Sequence, residues 1–337
     1  MTIGILLIAL LVILIGAEVF TNALEHLGER LKISEGVTGS IFAAVGTALP
    51  ETMVPVVAIL STASSQTVRE EVGVGAILGA PLMLSTLTFF LMAIFAIHKR
   101  GWSEEFHPER SGLQRDLSWF LLAFSLSTFA IFIPHHVTWV RALLAISLVL
   151  VYFLYLMLTI RASAQLVADG HGTSAGEPLF LVRMFRRLGV RESMVTVLLQ
   201  LALGLVFIVL GAHGFVQGVE QLSKWLGISA LVLALLIVPV ATELPEKINS
   251  ILWIRKRKDT LAFGNITGAM VFQGSLLPAI GILLTPWEPR REVMAGLVIT
   301  IIASTYLLLM LRRGKLRPVH LFFNGFCYLA YLVTVLI

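Results

Sequence analysis

Charge is what this chain of 337 residues has least of: only 13% are Asp, Glu, Lys or Arg, against about 25% in an ordinary soluble domain. A water-exposed surface for a fold of this length cannot be built from so few charges, so a soluble globular protein is excluded. There is one cysteine, Cys327, which excludes an intrachain disulfide and a cysteine-built metal cluster. The sequence has no His-Glu-x-x-His and no Walker-type phosphate loop, so zinc-hydrolase and P-loop chemistry have no motif to stand on. Neither His135-His136 nor the other histidines fall at metal-ligand spacing within one helix. No catalytic constellation emerges, and the expectation is that the chain is not an enzyme and needs no cofactor.

What is there is apolar: 57% of residues are hydrophobic and the mean hydropathy is +0.91. Ten apolar runs can be marked, at about 2–24, 35–61, 72–97, 117–134, 138–160, 194–222, 229–254, 260–283, 292–311 and 318–337. Each is near the length of roughly 20 residues that crosses a hydrocarbon core. The expected fold is an all-α polytopic membrane protein with about ten transmembrane helices. The first run has no basic segment before it, unlike a cleaved signal peptide, and is read as a helix.

The basic residues set the expected orientation. Of the 25 Lys and Arg, 19 lie in the loops after helices 1, 3, 5, 7 and 9, five lie on the opposite side, and Lys247 is inside a helix. The positive-inside rule puts the richer side in the cytoplasm and both termini outside. The pI near 9.6 is therefore a topology signal and not a nucleic-acid surface. The expected location is the plasma (inner) membrane, with lipids as neighbours.

The second half of the chain repeats the first. At an offset of 195, Gly16, Ala17 and Phe20 match Gly211, Ala212 and Phe215, and Thr47, Leu49, Pro50 and Glu51 match Thr242, Leu244, Pro245 and Glu246. Five helices per half is an odd number, so the halves insert with opposite topology. The expected organisation is a first inverted repeat at 1–161, a cytoplasmic linker at 162–193 and a second inverted repeat at 194–337. Within the linker, residues 179–188 form a basic amphipathic stretch expected on the membrane surface.

The repeated segment carries the chemistry. A carboxylate in hydrocarbon is expensive, and is a functional hypothesis by default. A proline removes the hydrogen bond to the carbonyl four residues earlier. Pro50 thus frees the carbonyl of Gly46, and Pro245 that of Ala241, with Pro239 freeing Leu235 a turn earlier. Thr47 and Glu51 share a helix face at i, i+4, as do Thr242 and Glu246. Gly46, Thr47, Glu51, Ala241, Thr242 and Glu246 together offer only oxygens. That suits a hard cation such as Ca²⁺, and two carboxylates balance one divalent charge.

Gly46-Thr47-Ala48-Leu49-Pro50-Glu51 and Ala241-Thr242-Glu243-Leu244-Pro245-Glu246 resemble the alpha repeats of the cation/calcium exchanger superfamily, its prokaryotic sodium/calcium exchangers above all. Gly16 to Phe20, Ile33-Ser34 and Ala262 to Gly268 are similar to family sequence as well. The resemblance covers essentially the whole chain. It implies ten helices in two inverted halves and antiport of Ca²⁺ against Na⁺ or H⁺, the cation held between the two glutamates. The chain departs from the pattern at Ala48, Glu243, Ala80, Pro81, Ala269 and Met270, where the family has side-chain oxygens that help hold Na⁺.

Lys247 stands four residues after Glu243, at salt-bridge spacing. Two readings of the pair stay open: mutual neutralisation, or charge compensation and gating of the site. His213, at the repeat position of Glu18, is read as an interhelical hydrogen bonder. For function, the first reading is a secondary active antiporter moving Ca²⁺ or a related divalent cation against Na⁺ or H⁺ by alternating access. The alternatives are proton-coupled transport of Mg²⁺ or Mn²⁺, and a membrane sensor on the same fold. The oligomeric state is not written in the sequence.

Overall fold

Inside a bilayer a backbone has to satisfy its own hydrogen bonds, which favours helices. The computed structural model describes residues 2–30, 43–60, 65–167, 178–185, 191–314 and 316–337, and among them there is helix but no strand. The elements are α1 (Thr2–Arg30), α2 (Ala43–Leu60), α3 (Gln66–Met83), α4 (Phe89–Arg100), α5 (Arg110–Ala130), α6 (Thr138–Val167), α7 (Phe180–Phe185), α8 (Met194–Leu226), α9 (Ala230–Thr242), α10 (Leu244–Arg255), α11 (Asp259–Leu284), α12 (Arg291–Arg313) and α13 (Pro318–Leu336). A π-helical turn, Leu84–Thr88, joins α3 to α4. Helix covers part of every one of the ten apolar runs. Among the described residues, seven segments are long and apolar enough to cross a membrane: Ile3–Leu24, Gln66–Arg100, Thr138–Thr159, Met194–Leu226, Asp259–Leu284, Arg291–Arg313 and Pro318–Leu336. Glu51–Leu60 and Ala230–Val240 are shorter apolar helices.

The chain forms two compact units, Met1–Ser65 with Leu156–Trp225, and Gln66–Tyr155 with Leu226–Ile337. Each unit draws on sequence from both sides of the linker, so the units do not coincide with the sequence halves.

In the first unit α1 crosses α8 through small residues. A Cβ on Gly204 would stand 2.7 Å from the Phe20 amide nitrogen, so the two backbones touch where glycine permits it. Two buried amide side chains then hold the linker. Asn22 Oδ1 accepts the Phe180 amide at 3.1 Å and Gln200 Oε1 accepts the Leu181 amide at 2.8 Å. These are N–H groups at the start of α7 that the short helix cannot satisfy itself. Gln200 Nε2 donates to Asn22 Oδ1 and to the Val19 carbonyl. Leu179 is fully buried with Ala23 and Val197, while Arg183, Met184 and Phe185 are exposed. The start of the amphipathic stretch is thus pinned to the α1–α8 pair, and Arg186, Arg187 and Leu188 lie outside the described residues.

In the second unit α9 lies directly on α3. A Cβ on Gly75 would meet Ala234 Cβ at 2.6 Å, and one on Gly79 would meet Pro239 Cγ at 2.8 Å. Helix α11 packs against α5, with Phe120 filling the groove at Gly274. Two arginines that sequence position assigns to loops turn out to be structural. Arg141 donates to the carbonyls of Ile282, Thr285 and Pro286 at 2.5, 2.7 and 2.9 Å, covering the open carbonyls at the end of α11. Arg100 makes a bidentate pair with Asp259, at 2.9 and 2.7 Å, and both side chains are buried. Helix α13 is keyed to the π-helical turn by Asn324, whose Nδ2 donates to the Ser85 carbonyl at 2.7 Å.

Candidate cation site

The second proline segment breaks its helix. Helix α9 ends at Thr242, Glu243 has φ −99° and ψ 7°, and α10 starts at Leu244 with Pro245 in its first turn. The backbone bonds on either side survive: the Glu243 amide donates to the Pro239 carbonyl at 3.2 Å, and the Lys247 amide to the Glu243 carbonyl at 3.1 Å. The result is a hinge in an otherwise continuous axis. The first proline segment behaves differently. Helix α2 runs unbroken through Pro50, because one lost hydrogen bond can be absorbed as a bend when the flanking turns hold.

Glu51 is buried on α2, with 5% of its surface exposed. Thr242 is buried too, and its hydroxyl donates to the Val238 carbonyl at 3.1 Å. That bond uses the hydrogen and leaves the oxygen lone pairs available to a cation. The side chains of Gly46, Thr47, Ala241 and Glu246 lie outside the described residues; the backbone places Gly46 and Thr47 in α2, Ala241 at the end of α9 and Glu246 in the first turn of α10.

Glu243 and Lys247 are both buried. The hinge turns the Glu243 carboxylate toward α11, where Oε1 accepts from Gln273 Nε2 at 2.5 Å. The Lys247 ammonium folds back along its own helix to the Pro239 carbonyl at 2.7 Å and reaches Met83 Sδ on α3 at 2.8 Å. The Lys247 amide still donates to the Glu243 carbonyl across that turn, so the i, i+4 spacing of the pair is kept.

Two partners went unread in the sequence. Gln273 is fully buried, and among the described residues its Oε1 has no hydrogen-bond partner. It lies one helical turn beyond Ala269, on the same face, so the signal was a polar side chain at i+4 from a position lacking one. Met83 follows Ala80 and Pro81, so the ammonium reaches the stretch of α3 from which oxygens are missing. Ala80, Pro81 and Met270 are themselves buried. The structure therefore brings together Pro239, Glu243, Lys247, Gln273 and Met83 within the second unit. The arrangement offers one acid, one fixed ammonium and neutral oxygens in a buried setting.

The sodium/calcium exchanger protein family matches this chain over residues 1–161 and 196–337. The inner membrane protein YrbG of Escherichia coli is 24% identical over 316 residues, covering 92% of this chain and 89% of its own length. CaxA of Alkalimonas amylolytica, named as a candidate antiporter, is 31% identical over 122 residues, which is 36% of this chain and only 38% of the CaxA length. Among solved structures, the H⁺/Ca²⁺ exchanger CAX superposes with a TM-score of 0.70 at 17% identity, covering 100% of this chain and 82% of that one. The sodium-calcium exchanger NCX_Mj gives a TM-score of 0.57 at 20% identity, with 98% of each chain covered. These two share the fold, and the family match extends through both halves and every segment of the candidate site. The chain is an integral membrane protein and belongs to the sodium/calcium exchanger protein family.

Proposed function

We propose that this protein is a secondary active antiporter that moves Ca²⁺, or a related divalent cation, against Na⁺ or H⁺ by alternating access. Glu51 and Glu246 supply the two negative charges, and Thr47, Thr242 and the carbonyls of Gly46 and Ala241 supply neutral oxygens. The observation that carries this reading is the buried carboxylate of Glu51 on an apolar helix of an exchanger-family chain. Ten spans in two inverted halves, with termini outside an inner membrane, complete the reading. It is supported by the offset of 195 between the halves and by the charge bias of the loops.

Protons are the favoured counter-ion. Ala48, Ala80, Pro81, Ala269 and Met270 carry no side-chain oxygen, so a bound Na⁺ would remain partly dehydrated. The Lys247 ammonium, held at the Pro239 carbonyl, balances the extra acid Glu243 and stands in for one missing cation. Carboxylates at the site are then neutralised by protons after the divalent ion leaves. Uptake of ⁴⁵Ca²⁺ into reconstituted vesicles under an imposed pH gradient, and separately under a Na⁺ gradient, tests this. Flux driven by the pH gradient is expected; flux driven only by Na⁺ overturns the counter-ion assignment. Absence of any Ca²⁺ flux, with Mg²⁺ or Mn²⁺ moving instead, would select the second divalent reading.

A further inference from the structure

One buried carboxylate takes no part in the cation site. Asp116 lies six residues into α5, about 9 Å along the helix, and is only 6% exposed. Thr267 of α11 donates to its Oδ2 at 2.7 Å, and Tyr155 of α6 donates to its Oδ1 at 3.1 Å. Three helices thus meet on one acid. Thr267 is two residues before Ala269 on the helix that also carries Gln273, so the position of α11 is linked to the state of this acid.

We propose that Asp116 is a proton-binding site, separate from the glutamate pair, whose occupancy sets how α11 is held. This rests on the transport reading only for its consequence; the site itself stands on geometry. In the ionised form Asp116 accepts both hydroxyl hydrogens. When a proton from the aqueous phase settles on Oδ2, that oxygen becomes a donor and the Thr267 hydroxyl hydrogen must go elsewhere. A second acceptor is already in place: the Gly264 carbonyl, 3.5 Å from Thr267 Oγ1. The exchange balances, because Asp116 O–H donates to Thr267 Oγ1 while the Thr267 hydrogen turns to Gly264. Movement of α11 has room on this side. Among the described residues, a Cβ on Gly264 would meet nothing within 4 Å, and one on Gly268 would reach only the Tyr155 hydroxyl, at 4.0 Å.

The charged and titratable groups around Asp116 are few. Its own helix brings Arg115, whose Nε is 3.9 Å from Oδ1, and Glu109 at the cap. Helix α6 brings Tyr155, with Tyr152 one turn away on the same helix. Helix α11 brings Asp259 only at its far end, where Arg100 pairs it. Helix α12, packed on the other flank of α5, brings Arg312 and Arg313 only at its end, beside Gly314, whose carbonyl accepts from Arg110 at 2.6 Å. Among the described residues Arg115 is the one cation within reach, and at 3.9 Å it steadies the ionised form without closing a short bond on it.

The test uses the full-length protein in lipid vesicles. Infrared difference spectra between acidic and alkaline buffer are expected to contain a carboxylic C=O band that Asp116→Asn lacks. Asn at this position still bonds both hydroxyls, so the variant should fold and reach the wild-type maximal Ca²⁺ flux, with one titration step missing from the pH–rate profile. Thr267→Val removes one donor to the ionised form, so it should keep the band and move its midpoint up by about one pH unit. An unchanged band and an unchanged pH profile in Asp116→Asn overturn the proposal. If Asp116→Asn does not fold, Thr267→Val and Tyr155→Phe decide it: a shifted band supports the site, an unshifted band in both overturns it. A wild-type protein that keeps the Asp116 band yet moves no cation supports the proton site and sinks the transport reading.

Discussion

Gly16 and Gly211 make the same contact from opposite sides. A Cβ on Gly16 would lie 2.8 Å from the Ile208 amide nitrogen and 3.0 Å from the Gly204 carbonyl. A Cβ on Gly211 would lie 2.9 Å from both the Ile13 amide nitrogen and the Ala9 carbonyl. Ile13 and Ala9 are the residues 195 positions before Ile208 and Gly204. The α1–α8 crossing is therefore self-complementary, as a contact across a two-fold axis must be. Gly16→Ala and Gly211→Ala should each destabilise the protein by about 1–3 kcal/mol through overpacking against backbone. Thermal unfolding in detergent checks this, and the two losses should be of similar size. A loss in one variant with none in the other would break the equivalence.

Glu51→Gln and Glu246→Gln are expected to abolish divalent flux in vesicles while leaving the protein folded. Each removes one of the two charges that balance the ion, and a carboxylate from an apolar stretch of sequence, where it is expensive. Wild-type flux in both variants would remove these residues from the site.

The Arg100–Asp259 pair should behave as a buried pair. Removing one partner strands a charge, so Arg100→Leu is expected to lower stability by about 3–5 kcal/mol. The double variant Arg100→Leu with Asp259→Leu should lose less than the single one. A double-mutant cycle on thermal stability, showing simple additivity, would mean that the two charges are solvated independently.

Glu109 gives a pH-dependent expectation on the solvent side. Its carboxylate caps α5, accepting the Ser111 amide at 3.0 Å, the Gly112 amide at 2.9 Å and the Ser111 hydroxyl. The Ser111 hydroxyl first, with the two amides helping, holds its carboxyl below the ordinary value near 4.5, against a smaller opposing effect of burial. A carboxylate lowered by folding adds stability above its unfolded value and loses it as pH falls through the folded one. Glu109→Ala should therefore be less stable than wild type at neutral pH, with the gap closing as pH drops below 4.5. A gap that stays constant into acid would mean that the cap works through packing alone.

The membrane character and the helix positions were legible because apolar runs are long and the bilayer leaves the backbone little choice. The hinge at Glu243 was legible from Pro245, whereas the unbroken course of α2 through Pro50 was not, since proline sets a missing bond and its surroundings decide whether a helix bends or parts. Partners across helices were the hardest to read. Gln273 meets Glu243 from 30 residues away, and the linker is held by Asn22 and Gln200, which no local pattern ties to Phe180 and Leu181. Arg100 and Arg141 looked like loop charges because composition counts a guanidinium without knowing that buried carbonyls or an acid await it.

The hinge also constrains how the protein is made. Helix α9 has 13 residues and α10 has 12, about 20 and 18 Å at 1.5 Å per residue, and neither reaches across a hydrocarbon core of about 30 Å. Helix α10 holds Glu246 and Lys247, with Glu243 at its head, so it would partition poorly from the translocation machinery by itself. All of α9 but its terminal Thr242 is apolar, so the two short helices are expected to insert as one unit, the apolar half carrying the polar one. The Glu243 carboxylate then gains its Gln273 donor only once α11, synthesised later, packs beside it. The polar half is thus expected to enter the bilayer before the helix that carries the hydrogen-bond partner of its acid has been made.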